Sequence, residues 1–168
     1  GTMAHHARRG DRVACCVLTH GARVHDAVIS DQMFHRAQVP EAQELTKLMA
    51  QRADVKALEV RQACSLLGCE ELHFLGLDDA VLLVCDEAVK QVAALVRKVR
   101  PHVVLTHFPR EGSTNTNPHA IAGQIALYGM QLAGSVDPGD TNPPHKVSQT
   151  FFFGTGGAPL PPDVWGAE

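Results

Sequence analysis

"PHVVLTHFPREGSTNTNPHAIAGQIALYG", residues 101–129, is the stretch whose reading decides the fold. "HVVLT", 102–106, is apolar and β-branched, as in a short buried strand of a parallel sheet, and it ends at His107. Gly, Ser, Thr and Asn follow, which is turn chemistry. Pro118 then stands where a helix best tolerates proline, at its first position. Ile121, Ile125, Tyr128 and Leu132 recur near a helical period beyond it. The segment reads as strand, loop and helix, with an imidazole at each end of the loop.

The same alternation extends outward. "RVACCVLT" (12–19), "LHFLG" (72–76) and "TFFFG" (150–154) are further strand-like runs. Pro40 opens a long helical pattern through Leu45, Leu48, Met49, Val55, Leu58, Ala63 and Leu66, which Gly68 closes and which is long enough for two helices. Asp86 is placed to cap another helix, with Val89, Val92, Ala93, Val96 and Val99 on one face and Pro101 at its end. "GTMAHHARRG" reads as an amphipathic helix leading into the first strand. Strands alternating with helices predict an α/β fold, a parallel sheet with helices on both faces. The Pro/Gly/Asp-rich run 134–146 reads as a mobile rim.

At 168 residues the chain has the size of one domain, 1–168. Apolar content of 45% and charged content of 20% are ordinary for a globular protein. A net charge of -3 leaves no basic field for nucleic acid. No apolar run reaches membrane-spanning length. The five cysteines include no CxxC pair, and three of them fall inside apolar segments, which suits buried thiols in a reducing cytosol. No glycine-rich phosphate loop follows a strand, which argues against a nucleotide-dependent enzyme.

In open parallel sheets, ligands bind beyond the carboxyl ends of the strands. The residues there are His20, the pair Asp78 and Asp79, and His107. Two residues before Ile121, His119 points about 200° from the packing stripe, so core packing does not explain it. A neutral imidazole is a common zinc ligand, and a solvated histidine at a loop-helix junction is the plain alternative.

The ordered segments "GTMAHHARRGDRVACCVLTHG", "EVRQACSLLGCEELHFLGLDD", "VRPHVVLTHFP" and "NPHAIAG" resemble the PIG-L/LmbE-like deacetylases. The resemblance runs from residue 1 to about 133. It implies a Rossmann-like three-layer sandwich, with a mostly parallel sheet, that hydrolyses N-acetylglucosamine conjugates or related amides with Zn2+ or another divalent metal. In that family an opening strand ends in A-H-P-D-D-E, just before G-G-T-L-A. "GTMA" matches the latter, and the former, with two metal ligands and a general base, is not in this sequence. The first, central strand is thus expected to be missing, the chain being truncated at its N-terminus and also at its C-terminus. "TNPH" stands where the family has a motif closing on a ligand His, so His119 carries over as metal ligand and His107 takes the catalytic imidazole role. "FLGLDD" implies Asp79 as a sugar contact, and Lys56 with Glu59 resembles an R-x-x-E pair of the family. Arg23 and Arg110, past strand ends, are placed to orient a sugar or an anionic aglycone.

The implied function is a cytoplasmic, zinc-dependent de-N-acetylase acting on a small N-acetylated sugar conjugate. The alternative is a non-catalytic sugar- or partner-binding homologue lacking the metal site. Association into a homo-oligomer is open under both.

Overall fold

The computed structural model describes residues 1–35, 41–69, 71–110 and 117–154. Pro40, most of the loop between His107 and His119, and the tail after residue 154 lie outside the described residues. The chain falls into two compact units, Gly1–Val81 and Leu82–Glu168.

The first unit runs α1 (Thr2–Arg8), β1 (Ala14–Thr19), α2 (Ala27–His35), α3 (Ala42–Leu66) and β2 (Glu71–Leu77). β1 and β2 pair in parallel, joined by the two helices between them. The long helical pattern is one continuous helix of 25 residues. It ends as its sequence implies, with Gly68 at φ 73 and the Cys69 amide reaching back to the Cys64 carbonyl at 2.9 Å. The stripe it buries is not the expected one. Val55, Leu58 and Leu66 are exposed, and Cys64 is buried. Arg52 and Lys56 turn inward toward Asp26, and that demand sets the helix rotation. Helix α2 has no counterpart in the sequence reading. Asp26 starts it, its Oδ1 accepting from the amides of Val28 (3.0 Å) and Ile29 (3.1 Å).

The second unit runs α4 (Asp86–Val99), β3 (Val103–His107), α5 (Pro118–Ala133) and β4 (Gln149–Phe153). β3 and β4 also pair in parallel, in register from Val103↔Gln149 to His107↔Phe153. The alternation of strands and helices, with parallel pairing throughout the described residues, is Rossmann-like α/β. The described strands form two two-stranded sheets. On one face of β3–β4, Val103, Leu105, Phe151 and Phe153 are between 42% and 53% exposed, so among the described residues that face is only partly covered.

Two local expectations are corrected. Cys85, extended at φ -128, occupies the N-cap position of α4, and Asp86 is instead its first residue, bridging to Lys90 at 2.6 Å. On α5 the buried residues are Ala120, Ala122, Gly123, Ile125, Gly129 and Ala133, whereas Tyr128 is 55% exposed. Small residues face inward because α5 lies close against both α4 and β3: a Cβ on Gly129 would overlap Val92. The run 134–146 is fastened, not loose. The guanidinium of Arg97, 1% exposed, donates to Asp140 (3.0 Å) and to the carbonyls of Leu132 (2.9 Å) and Ser135 (3.2 Å). The His145 ring nitrogen donates to the Pro101 carbonyl at 2.8 Å.

Candidate functional site

In each unit, polar side chains gather where the strands end. In the first, the β1–β2 ladder shifts register between Val17 and Thr19, where Gly76 takes φ 68. The bulge turns the end of β2 so that the Leu77 carbonyl accepts from the His20 amide (3.0 Å) and Asp78 and Asp79 lie against residues 20–25. Asp79 is 5% exposed, and its carboxylate accepts from the amides of Arg23 (3.0 Å), Val24 (2.8 Å) and His25 (3.2 Å). Nδ1 of His20 lies 3.2 Å from one Asp79 oxygen and Nδ1 of His25 3.3 Å from the other. Burial raises the Asp79 pKa, but the three amides outweigh it and hold the carboxyl below its ordinary value. Arg23 ion-pairs with Asp78, whose other oxygen accepts from the Ala80 amide at 2.8 Å.

The loop is held from below as well. Asp26, fully buried, receives Nε of Arg52 at 3.0 Å and lies 3.8 Å from Nζ of Lys56. Lys56 in turn lies 3.4 Å from Glu59, which is more than half exposed. The sequence reading missed Asp26 and Arg52. An Asp ahead of "AVIS" and the four-residue spacing of Arg52 and Lys56 were the available signals.

In the second unit, β3 delivers His107 and the first turn of α5 delivers His119. Asn117 caps that helix, accepting from the His119 amide at 2.9 Å, with Pro118 in the first turn. The two imidazoles stack, ring centroids 4.9 Å apart and planes 20° from parallel, and Phe153 lies 4.6 Å from the His107 ring. Gly123 explains the pairing. A Cβ there would overlap the His107 carbonyl, so only glycine lets α5 sit on the strand end. One turn earlier on the same helix, His119 then lies over the His107 ring. Arg110 is exposed just past β3.

The structure therefore brings His107 to His119, Lys56 to Glu59, and Arg23 to Asp79. Among the described residues, one trio of His, Cys, Asp or Glu places its ligand atoms within 4.8 Å of one another: His20, Asp78 and Asp79. A nitrogen and two carboxylates suit zinc in kind. Both Asp79 oxygens already accept from the three loop amides, while each Asp78 oxygen accepts one bond, from Arg23 and from the Ala80 amide, so a metal held here would have to compete with the loop for Asp79.

Comparison with known proteins bears on this arrangement. Among solved structures, a conserved protein of Thermus thermophilus superposes with a TM-score of 0.67 at 23% identity, over 96% of this chain and 61% of that one. The 4-carboxy-2-hydroxymuconate hydratase of Pseudomonas putida gives 0.69 at 18% identity, over 90% and 57%. The N,N'-diacetylchitobiose deacetylase of Pyrococcus horikoshii gives 0.67 at 17% identity, over 90% and 52%. These likenesses establish the fold. A 1D-myo-inositol 2-acetamido-2-deoxy-alpha-D-glucopyranoside deacetylase of Segniliparus rotundus is 30% identical over 70 residues, 42% of this chain and 22% of that protein. The chain thus spans only part of its relatives, a little over half of the solved structures. The GlcNAc-PI de-N-acetylase model, PIG-L, matches residues 1–128, a stretch that takes in both carboxyl-end clusters through the first turns of α5. On that match the chain belongs to the PIG-L, GlcNAc-PI de-N-acetylase, family.

Proposed function

We propose that this chain belongs to a metal-dependent hydrolase that removes the N-acetyl group from an N-acetylglucosamine-type conjugate in the cytoplasm. The observation that carries the reading is the stacked pair His107–His119, set at a strand end and a helix start, in a chain of a de-N-acetylase family. The names of the Segniliparus and Pyrococcus relatives, both deacetylases of N-acetylated sugars, support the substrate class.

In this reading His119 offers a ring nitrogen to a divalent metal, zinc by preference. When bound, such a metal polarises the acyl carbonyl and acidifies its water to a pKa of about 7. His107 carries a proton to the departing amine, with its ring held by the stack and by Phe153. Lys56, Glu59, Arg23 and Arg110 serve substrate recognition, and Asp79 serves it through the loop its carboxylate holds. Among the described residues no trio containing His119 brings ligand atoms within 4.8 Å of one another.

The same observation favours a second reading, a non-catalytic sugar- or partner-binding homologue. One experiment separates them. The full-length protein is expected to bind about one zinc, consistent with a single catalytic centre, and to release acetate from an N-acetylglucosamine conjugate. His107→Ala should slow that release by about 10²–10⁴-fold. His119→Ala should remove both metal and activity at unchanged circular dichroism. Activity untouched by His119→Ala refutes the ligand assignment, and a wild-type protein with neither zinc nor activity selects the second reading.

A further inference from the structure

In the second unit, the face of β3–β4 that carries Val103, Leu105, Phe151 and Phe153 is apolar and open. The parallel register sets Leu105 beside Phe151, and strand alternation keeps Val103 and Phe153 on the same side. Helix α5 lies against the other side, where the Thr150 hydroxyl donates to Met130 Sδ at 3.8 Å. Phe151 is 53% exposed and Phe153 42%. A contiguous apolar patch of this kind is costly in water and marks a docking surface.

The sequence supplies an occupant next to it. β4 stops at Phe153, and residues 155–168, which lie outside the described residues, follow almost at once as "TGGAPLPPDVWGAE". Gly156 and Gly157 supply the reversal needed to send a chain back across the strand it has just left. Pro159, Pro161 and Pro162 favour an extended polyproline-type run, the form that aromatic-lined surfaces bind, and Leu160, Val164 and Trp165 add apolar side chains. The five residues of β4 span roughly 17 Å, and residues 155–168 reach roughly 45 Å when extended, so length is no obstacle. A second copy of the chain is the weaker occupant. Two half-exposed Phe rings leave roughly 200 Å² uncovered. Val103 and Leu105 do not raise that to the ~800 Å² per partner that a stable dimer takes. We propose that residues 159–165 dock on the Val103–Leu105–Phe151–Phe153 face and bury the Trp165 ring there. The covalent tether makes the contact intramolecular, so a patch too small for a dimer suffices. Nothing in this depends on the deacetylase reading.

The test uses the 168-residue chain, whose single tryptophan is Trp165, so that indole fluorescence reports on this segment alone. Acrylamide should quench Trp165 about fivefold less in buffer than in urea, as for an indole docked most of the time. Phe151→Glu sets an unpaired charge on the face and should return quenching to its urea value. Val136→Glu, at an 80% exposed site away from the face, should leave it unchanged. Should Phe151→Glu not fold, Phe151→Ala should still raise quenching about twofold, at unchanged circular dichroism. Wild-type Trp165 quenched as freely in buffer as in urea overturns the proposal. So does a protected Trp165 that ignores both substitutions of Phe151, because the indole then lies elsewhere. Protection that is lost on dilution also overturns it, by making a second copy the occupant.

Discussion

Replacing Gly123 with alanine tests whether the two imidazoles are held together by backbone proximity. A Cβ at that position overlaps the His107 carbonyl oxygen and lies 3.1 Å from the His107 carbonyl carbon and 3.2 Å from that of Phe108. Ordinary carbon contacts are about 3.5–4.0 Å, so α5 must retreat by roughly 0.5–1 Å. The obstacle is strand backbone, which cannot rotate aside as a side chain would. Overpacking of this kind costs about 1–3 kcal/mol. Alanine returns about 1 kcal/mol in helix propensity. The expected net loss is about 0–2 kcal/mol in urea unfolding, together with separation of the His107 and His119 rings and shifted NMR signals from both. Gly129→Ala is the control: its Cβ meets Val92 on α4, so it should destabilise without altering the imidazole signals. A Gly123→Ala protein that is more stable than wild type by the full helix-propensity gain, with both rings unmoved, refutes the close-approach argument.

Two further outcomes follow from buried charges. Arg97→Met leaves Asp137 and Asp140 without their partner and frees the carbonyls of Leu132 and Ser135, and should cost about 3 kcal/mol in urea unfolding, with faster amide exchange in 134–146. Asp26 and Asp79 both have pKa values below the ordinary 3.8: burial pushes each up, and amides, with Arg52 for Asp26, pull further down. Their folded-state pKa is lowered, so the stabilisation is fully present above about pH 4 and is lost as pH falls through the lower folded values. Asp26→Asn should therefore cost about 2–3 kcal/mol at pH 7 and progressively less below pH 4; a difference that stays constant with pH would show that the charge contributes nothing.

What the sequence settled by itself was local. All four strands were legible, because a run such as "HVVLT" can hardly be anything else, and Gly68 and Pro118 mark the helix ends where backbone geometry demands them. The placement of His107 at a strand end and of His119 at a helix start was legible too. Which face each helix buries was decided only in three dimensions. Helical periodicity marks an apolar stripe, but α3 rotates to bring Arg52 and Lys56 to Asp26, and α5 turns its glycines and alanines inward because two neighbours crowd it. The surroundings of Asp79 belong to the same class. Its sequence context names a residue type, while the amides that fill its oxygens come from a loop more than fifty positions away in the chain, and only folding brings them together.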